Sequence, residues 1–248
     1  MWDHVEIHVS DRAASRRFYD TVLAPLGVEQ TARFDEVEEW RDFGIVDAGP
    51  EHPLTRHLHA AFAAPSRDHV DSFWRAGVDA GYRSDGEPGP RPQYDPGYYG
   101  AFLLDPDGNS AEAVVGHRTE PGGSMIDHLW IRVADPDASR RFWETVAPAL
   151  GVRVRAPGYP GLVAVAKDNR HFALVHDERP RTESVHLAFP VPTDEAVAEF
   201  HRLALAAGYR DNGPPGERPQ YHPGYVGAFV LDPDGHNIEA VNHNRLAA

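Results

Sequence analysis

Near its start the chain alternates Val5, Ile7 and Val9 with His4, Glu6 and His8, the two-residue period of a strand with unlike faces. Ser10 or Asp11 then offers a helix N-cap, and Ala14, Phe18 and Val22 recur at helical spacing until Pro25 and Gly27 predict a stop. A second helix is predicted from near Ser66, with Val70, Phe73 and Trp74 as its apolar stripe and a stop at Ala80-Gly81-Tyr82. After a long Gly- and Pro-rich loop, GAFLLDPDGNSAEAVV reads as a hairpin, because Asp-Pro-Asp-Gly places Pro second in a turn and Gly where positive φ is needed.

The same order of elements then repeats. Asp3 to Val28 aligns with Asp127 to Val152, and from Thr55 the alignment resumes against Thr182 after a few extra residues in the second copy. Leu129, Ile131 and Val133 repeat the first strand, and Ala138, Phe142 and Val146 repeat the first helix, with Pro148 and Gly151 as its predicted stop. Val197, Phe200 and Leu203 follow a predicted cap near Thr193, and GAFVLDPDGHNIEAV repeats the hairpin. A period of this length exceeds that of a solenoid, so each copy is a domain: 1–118 and 124–246, joined by a Gly-, Pro- and Ser-bearing linker at 116–125.

Composition narrows the function classes. The 248 residues carry 24 Lys+Arg against 38 Asp+Glu, a formal net charge of −14, which argues against nucleic acid as partner. There is no cysteine, which excludes disulfides, thiolate metal sites and thiol nucleophiles. No apolar run reaches the roughly 18 residues of a membrane span, and MWDHVEIHVSD does not read as a secretory signal. The expectation is a cytoplasmic protein with a small-molecule substrate and no membrane partner, a monomer or a homodimer.

Candidate chemistry lies in a row of polar residues on strand faces turned from the predicted helix-packed side. His4, His59 and Glu112 stand in the first copy, and His128, His186 and Glu239 occupy the equivalent places in the second. Two imidazoles and a carboxylate form a donor set for Fe(II), Mn(II) or a similar divalent metal, with positions left for substrate or water. A lone strand histidine is more often structural, and tandem copies share residues by ancestry. Other histidines did not survive the duplication, however: His8 aligns with Arg132, His57 with Ser184, His69 with Ala196 and His117 with Asn244.

The segments HVEIHVSDRAASRRFYDTVLAPLG, HLHAAF and YYGAFLLDPDGNSAEAV, matched in both copies, resemble the vicinal oxygen chelate superfamily of glyoxalase, bleomycin-resistance, fosfomycin-resistance and extradiol dioxygenase proteins. The resemblance implies an α+β fold of tandem domains, with four βαβββ modules in all, whose curved mixed sheets enclose a cavity with metal at its floor. It also implies that His4, His59, Glu112, His128, His186 and Glu239 are the ligands. Members build the site within one copy or by exchanging modules, so Glu112 belongs with either His4 or His128.

Glyoxalase-like members use a fourth protein ligand, and only Asp42 or Asp47, and His171 or His176, are offered for it here. The three-ligand set is more like the dioxygenase or fosfomycin-resistance pattern, although two intact triads depart from extradiol enzymes, which usually keep metal in one half. The leading expectation is an enzyme with Fe(II), or else Mn(II), Zn(II) or Ni(II), that chelates adjacent oxygens of a small substrate. Dioxygenase-like chemistry comes first, and lyase, isomerase or thiol-transferase chemistry next. The rival is a non-catalytic protein that sequesters a small molecule.

Further residues are candidates for the surroundings of the site. Trp130 and Arg132 share the face of His128, where Glu6 and His8 stand in the first copy, and suit an aromatic or anionic oxygenated substrate. The loops RPQYDPGYYG and RPQYHPGYVG are long and place Arg91, Tyr94 and Tyr98, and Arg218, Tyr221 and Tyr225, at a cavity mouth. Tyr221 and Tyr225 are candidate hydrogen-bond donors to reacting oxygen, and His222 a candidate acid or base confined to the second copy, where Asp95 stands in the first.

Overall fold

The computed structural model describes residues 1–33, 37–115, 124–156, 161–167 and 170–244. Most of the expected linker, residues 116–123, lies outside the described residues. Strands and helices follow each other as four βαβββ modules. The first holds β1 (Val5–Val9), α1 (Arg12–Leu23), β2 (Ala32–Arg33), β3 (Val37–Trp40) and β4 (Phe43–Asp47). The second holds β5 (His59–Ala63), α2 (Arg67–Asp79), β6 (Ser84–Pro90), β7 (Tyr99–Leu104) and β8 (Ser110–Val115). The third holds β9 (Ile126–Arg132), α3 (Pro136–Leu150), β10 (Arg153–Arg155), β11 (Leu162–Lys167) and β12 (Arg170–Val175). The fourth holds β13 (Val185–Pro190), α4 (Asp194–Ala206), β14 (Arg210–Glu217), β15 (Val226–Leu231) and β16 (Asn237–Asn242). The strands belong to two open, mixed sheets.

The compact units do not coincide with the two sequence copies. One unit is Glu6–Ile131; the other joins Met1–Val5 to Arg132–Ala248. In the first, β5 runs parallel to β8 and antiparallel to β9, and β7 and β8 form the DPDG hairpin. In the second, β13 runs parallel to β16, and β15 and β16 form the other hairpin. There the chain start lies along β13, with Asp3 N–H donating to Ala188 O at 2.8 Å and Ala188 N–H to His4 O at 2.9 Å. Each βαβββ order therefore delivers the first strand of a copy to a neighbour that the sequence does not announce.

The helices form where their caps predict. Asp11 accepts from Ala14 N–H, Asp135 from Asp137 N–H and Thr193 from Ala196 N–H, satisfying donors left open in a first turn. Pro148 does not stop α3, which continues to Leu150 and ends at Gly151 with φ +64°. One missing N–H in the last turn removes a single helical bond, which packing of Val146, Ala147 and Leu150 offsets. The expected loop before each hairpin contains a strand instead. β6 and β14 carry bulges, and a Cβ on Gly86 or Gly213 would stand 2.8 Å from Phe102 or Phe229, so the glycines admit the aromatic rings.

Apolar packing fixes these elements beneath the polar rows. Phe18, Tyr19, Phe43 and Phe62 pack in one unit, and Trp2, Trp143, Phe172 and Phe189 in the other, with ring centroids between 4.8 and 6.4 Å. The first DPDG turn is anchored in the same core. Asp105 takes the Tyr19 hydroxyl at 3.0 Å and the Asn109 amide at 3.1 Å. Burial, only partly countered by those bonds, pushes the Asp105 carboxyl up to about 6.

A raised carboxyl favours folding while neutral, so its stability contribution is full below about pH 4 and is lost as pH rises through about 6. Tyr19→Phe removes a donor to the charged form. The variant is expected to titrate Asp105 above the wild-type midpoint in carboxyl-resolved NMR, and to lose about 1–3 kcal/mol at neutral pH in denaturant unfolding.

Candidate metal centres

Register brings the polar residues together. In the Glu6–Ile131 unit, Ala61 lies opposite Glu112 on the parallel strand β8 and opposite His128 on the antiparallel strand β9, while His59 stands two residues back on β5. Side chains at paired positions share a face, so two imidazoles and a carboxylate converge around the small Ala61. The other unit repeats this with Ala188 opposite Glu239, His186 two residues back on β13, and His4 on the chain start. His4 therefore joins His186 and Glu239, and His128 joins His59 and Glu112. Each first-strand histidine is grouped with residues of the other sequence copy.

The donor atoms are already turned inward. His59 Nε2 lies 2.9 Å and His128 Nε2 3.6 Å from Glu112 Oε2. His186 Nε2 lies 3.0 Å and His4 Nε2 3.6 Å from Glu239 Oε2. Within each group the ligand atoms lie within 4.8 Å of one another, and both glutamates are 1% exposed.

Neighbours fix which atoms remain available. Asp127 accepts from His128 Nδ1 at 2.7 Å and Asp3 from His4 Nδ1 at 2.9 Å, which leaves each Nε2 lone pair facing the group. The Tyr98 hydroxyl donates to Glu112 Oε1 at 2.6 Å, and the Tyr225 hydroxyl to Glu239 Oε1 at 2.6 Å. Burial first, then the adjacent glutamate charge and hydrogen bond, push both phenols far above their ordinary range, so they remain donors. Each carboxylate thus has one oxygen held by a tyrosine and the other, Oε2, facing two imidazoles.

The remaining candidate residues fall in different places. Trp130 is paired with His59 across β5 and β9 and shares the face of His128. Arg132 donates through Nε to both oxygens of Asp177, at 3.2 and 3.3 Å. The hydrogen bonds of Arg179, aided by the charge of Arg132, hold the Asp177 carboxyl down at about 2.

Arg91 lies over the Phe102 ring and donates to the carbonyls of Glu87 and Pro90; Arg218 lies over Phe229 and donates to those of Pro214 and Glu217. Phe102 and Phe229 in turn adjoin the His59 and His186 rings. Tyr94 and Tyr221 are exposed and pack against Tyr98 and Tyr225. His222 is hydrogen-bonded to His243 at 2.7 Å, outside the triad. Of the fourth-ligand candidates, Asp42 accepts from Met125 N–H, Asp47 pairs with Arg12, and His176 faces Val133 O. Among the described residues each group has three members.

The sequence reading missed Asp3, Asp127 and His243. A signal for the first two was present, since Asp-His opens both copies.

Comparisons with known proteins agree with this architecture. Residues 2–113 and 125–240 each match the family model described as Glyoxalase/Bleomycin resistance protein/Dioxygenase superfamily. Among solved structures, the V278E mutant of glyoxalase I from Zea mays superposes with a TM-score of 0.70 at 18% identity, covering 98% of this chain and 92% of that one. A second structure, of glyoxalase I from Zea mays, gives 0.64 at 17% identity, covering 98% and 92%. A candidate dioxygenase from Bacillus subtilis gives 0.63 at 14% identity, covering 98% and 85%. At these identities the likeness is one of fold. No curated protein matches the sequence.

Proposed function

The chain belongs to the Glyoxalase/Bleomycin resistance protein/Dioxygenase superfamily, twice over, and on that premise we propose that it is a metal-dependent enzyme acting on a small substrate with adjacent oxygens. The observation that carries the reading is the duplicated set of two Nε2 atoms and one Oε2, with the second carboxylate oxygen held by a tyrosine. Nitrogen and oxygen donors without sulfur fit Fe(II), Mn(II), Zn(II) or Ni(II), and the sets of three found among the described residues suit the dioxygenase-like pattern with Fe(II). The buried carboxylate supplies the charge that a divalent ion needs in a low-dielectric wall.

His59, Glu112 and His128 would hold one ion, and His4, His186 and Glu239 a second. A bound divalent ion supplies Lewis-acid stabilisation of charge developing on the chelated substrate oxygens. The chain's own residues do the rest. Asp3 and Asp127 hold the histidine tautomers, Tyr98 and Tyr225 keep the carboxylates from rotating, and Trp130 offers an aromatic wall beside His59.

The test is oxygen uptake and ring-cleavage absorbance with a catechol series, on protein reconstituted anaerobically with each of the four metals. Turnover with Fe(II) supports the dioxygenase-like reading. Turnover only with Zn(II) or Ni(II), on substrates for isomerase or lyase chemistry, would move it to those classes. Metal retention in neither group, with tight stoichiometric binding of a small molecule in chelator, would replace the enzyme by a sequestering protein.

A further inference from the structure

Behind His59 runs a chain of hydrogen bonds whose residues are not repeated behind its counterpart His186. Ser110 lies opposite His59 in the parallel pairing of β5 with β8, and its hydroxyl oxygen is 3.2 Å from His59 Nδ1. The same hydroxyl donates to Asp85 Oδ2 at 2.9 Å. On the far side of the ring, His59 Nε2 lies 2.9 Å from Glu112 Oε2. All four residues belong to the Glu6–Ile131 unit.

Asp85 reaches Ser110 by way of the β6 bulge. Ser84 pairs with Leu103 and Gly86 with Phe102, so Asp85 is the extra residue between them, and an extra residue re-aims its side chain. Ser110 itself pairs with Leu104 on the intervening β7. The other half keeps the bulge and changes the chemistry. There Asn212 is the extra residue between Asp211 and Gly213, and its Nδ2 donates at 3.0 Å to Oδ1 of Asn237, the residue opposite His186. Two amides stand where a carboxylate and a hydroxyl stand behind His59.

The direction of the chain follows from its donors. A serine hydroxyl has one proton to give. With that proton directed at Asp85, Ser110 Oγ accepts from the imidazole, so the ring proton belongs on His59 Nδ1 and Nε2 is left as the ligand atom. Asp127 does the same for His128 without an intermediary.

We propose that Asp85, acting through Ser110, is a positioning residue for His59, setting its ligand nitrogen for the His59/Glu112/His128 group alone. An asparagine at 85 would reverse the chain. Its amide donates to Ser110 Oγ, the hydroxyl proton turns to His59 Nδ1, and the ring proton moves to Nε2, where Glu112 Oε2 accepts it. A metal ion must then displace that proton before it binds. The positioning role rests on the proposed metal reading; the direction of the hydrogen bonds does not.

The experiment uses the full chain labelled with 15N-histidine, first without metal, in imidazole 1H–15N spectra at about pH 7. In wild type the His59 signal, identified by its absence from His59→Asn, is expected to show a slowly exchanging proton on Nδ1. Ser110→Thr, which keeps the hydroxyl, should retain it. Asp85→Asn and Ser110→Ala should lose it, with Nδ1 moving to the shift of an unprotonated nitrogen. A bare Nδ1 in wild type, or an unchanged Nδ1 proton in Asp85→Asn, would overturn the proposal.

Mn(II) binding to the same proteins reads the consequence, with the His4/His186/Glu239 group as internal control. Asp85→Asn and Ser110→Ala are each expected to weaken one equivalent about tenfold, and together no further, because they interrupt one chain. The other equivalent, and both in Ser110→Thr, should keep wild-type affinity. Ser110→Ala retains the Asp85 charge, so a loss confined to Asp85→Asn would assign the effect to long-range charge and overturn the positioning role. Equal losses in both equivalents would overturn it too. No Mn(II) binding by wild type, with the Nδ1 results as expected, would refute the metal reading and leave the direction of the chain standing.

Discussion

His4→Ala and His186→Ala are expected to remove the same metal equivalent, and the double variant to lose no more than either single one. The two histidines face one carboxylate oxygen, Glu239 Oε2, at 3.6 and 3.0 Å, although they lie in different sequence copies. His59→Ala and His128→Ala should behave likewise around Glu112, whereas His4→Ala combined with His59→Ala should empty the chain. Removing one of three donors should cost more than the roughly 10–100-fold typical of an outer partner. Elemental analysis per chain after dialysis against dilute metal, for the singles and the three doubles, reads the outcome. If His4→Ala and His59→Ala removed one shared equivalent, ligands would group within a copy and the register of β13 beside the chain start would be wrong.

Much of this site was legible before any coordinates. Period-two alternation put His4, Glu112 and their counterparts on the polar face, and duplication separated them from histidines such as His8 and His69 that drifted. The grouping was not legible, because local periodicity does not say which strand lies beside which. That choice is made by the chain-start contact with Ala188 and by the pairing of β9 with β5. β6 and β14 escaped for a different reason. Their Gly and Pro content lowers strand propensity, and only the aromatic rings of Phe102 and Phe229, seated over Gly86 and Gly213, explain it. Arg132 illustrates a third limit: its position on the strand was readable, but its partner Asp177 comes from an irregular segment after β12.

Gly227→Ala should disable one site while sparing the other. A Cβ there would stand 2.8 Å from Glu239 Oε1 and 3.2 Å from Tyr225 Cε1; at Gly100 it would stand 2.5 Å from Glu112 Oε1 and 3.2 Å from Tyr98 Cε1. Neither glycine has a positive φ, so alanine fits the backbone and the conflict is confined to the glutamate–tyrosine pair. A carboxylate 1% exposed has nowhere to swing, and the sheet cannot yield without breaking the β15–β16 ladder. The Tyr225 bond to Oε1 is therefore lost and Oε2 turns from the imidazoles. Overpacking of this size costs about 1–3 kcal/mol in stability. Metal affinity at that site should fall about 100-fold, the upper range for loss of an outer partner, while the His59/Glu112/His128 group binds as before. Tyr225→Phe removes the same hydrogen bond without the clash and should fall only about tenfold. Competitive titration with a chromophoric chelator distinguishes them. Equal losses in the two variants would assign the effect to the hydroxyl alone, and no loss in either would show that Glu239 does not bind the metal.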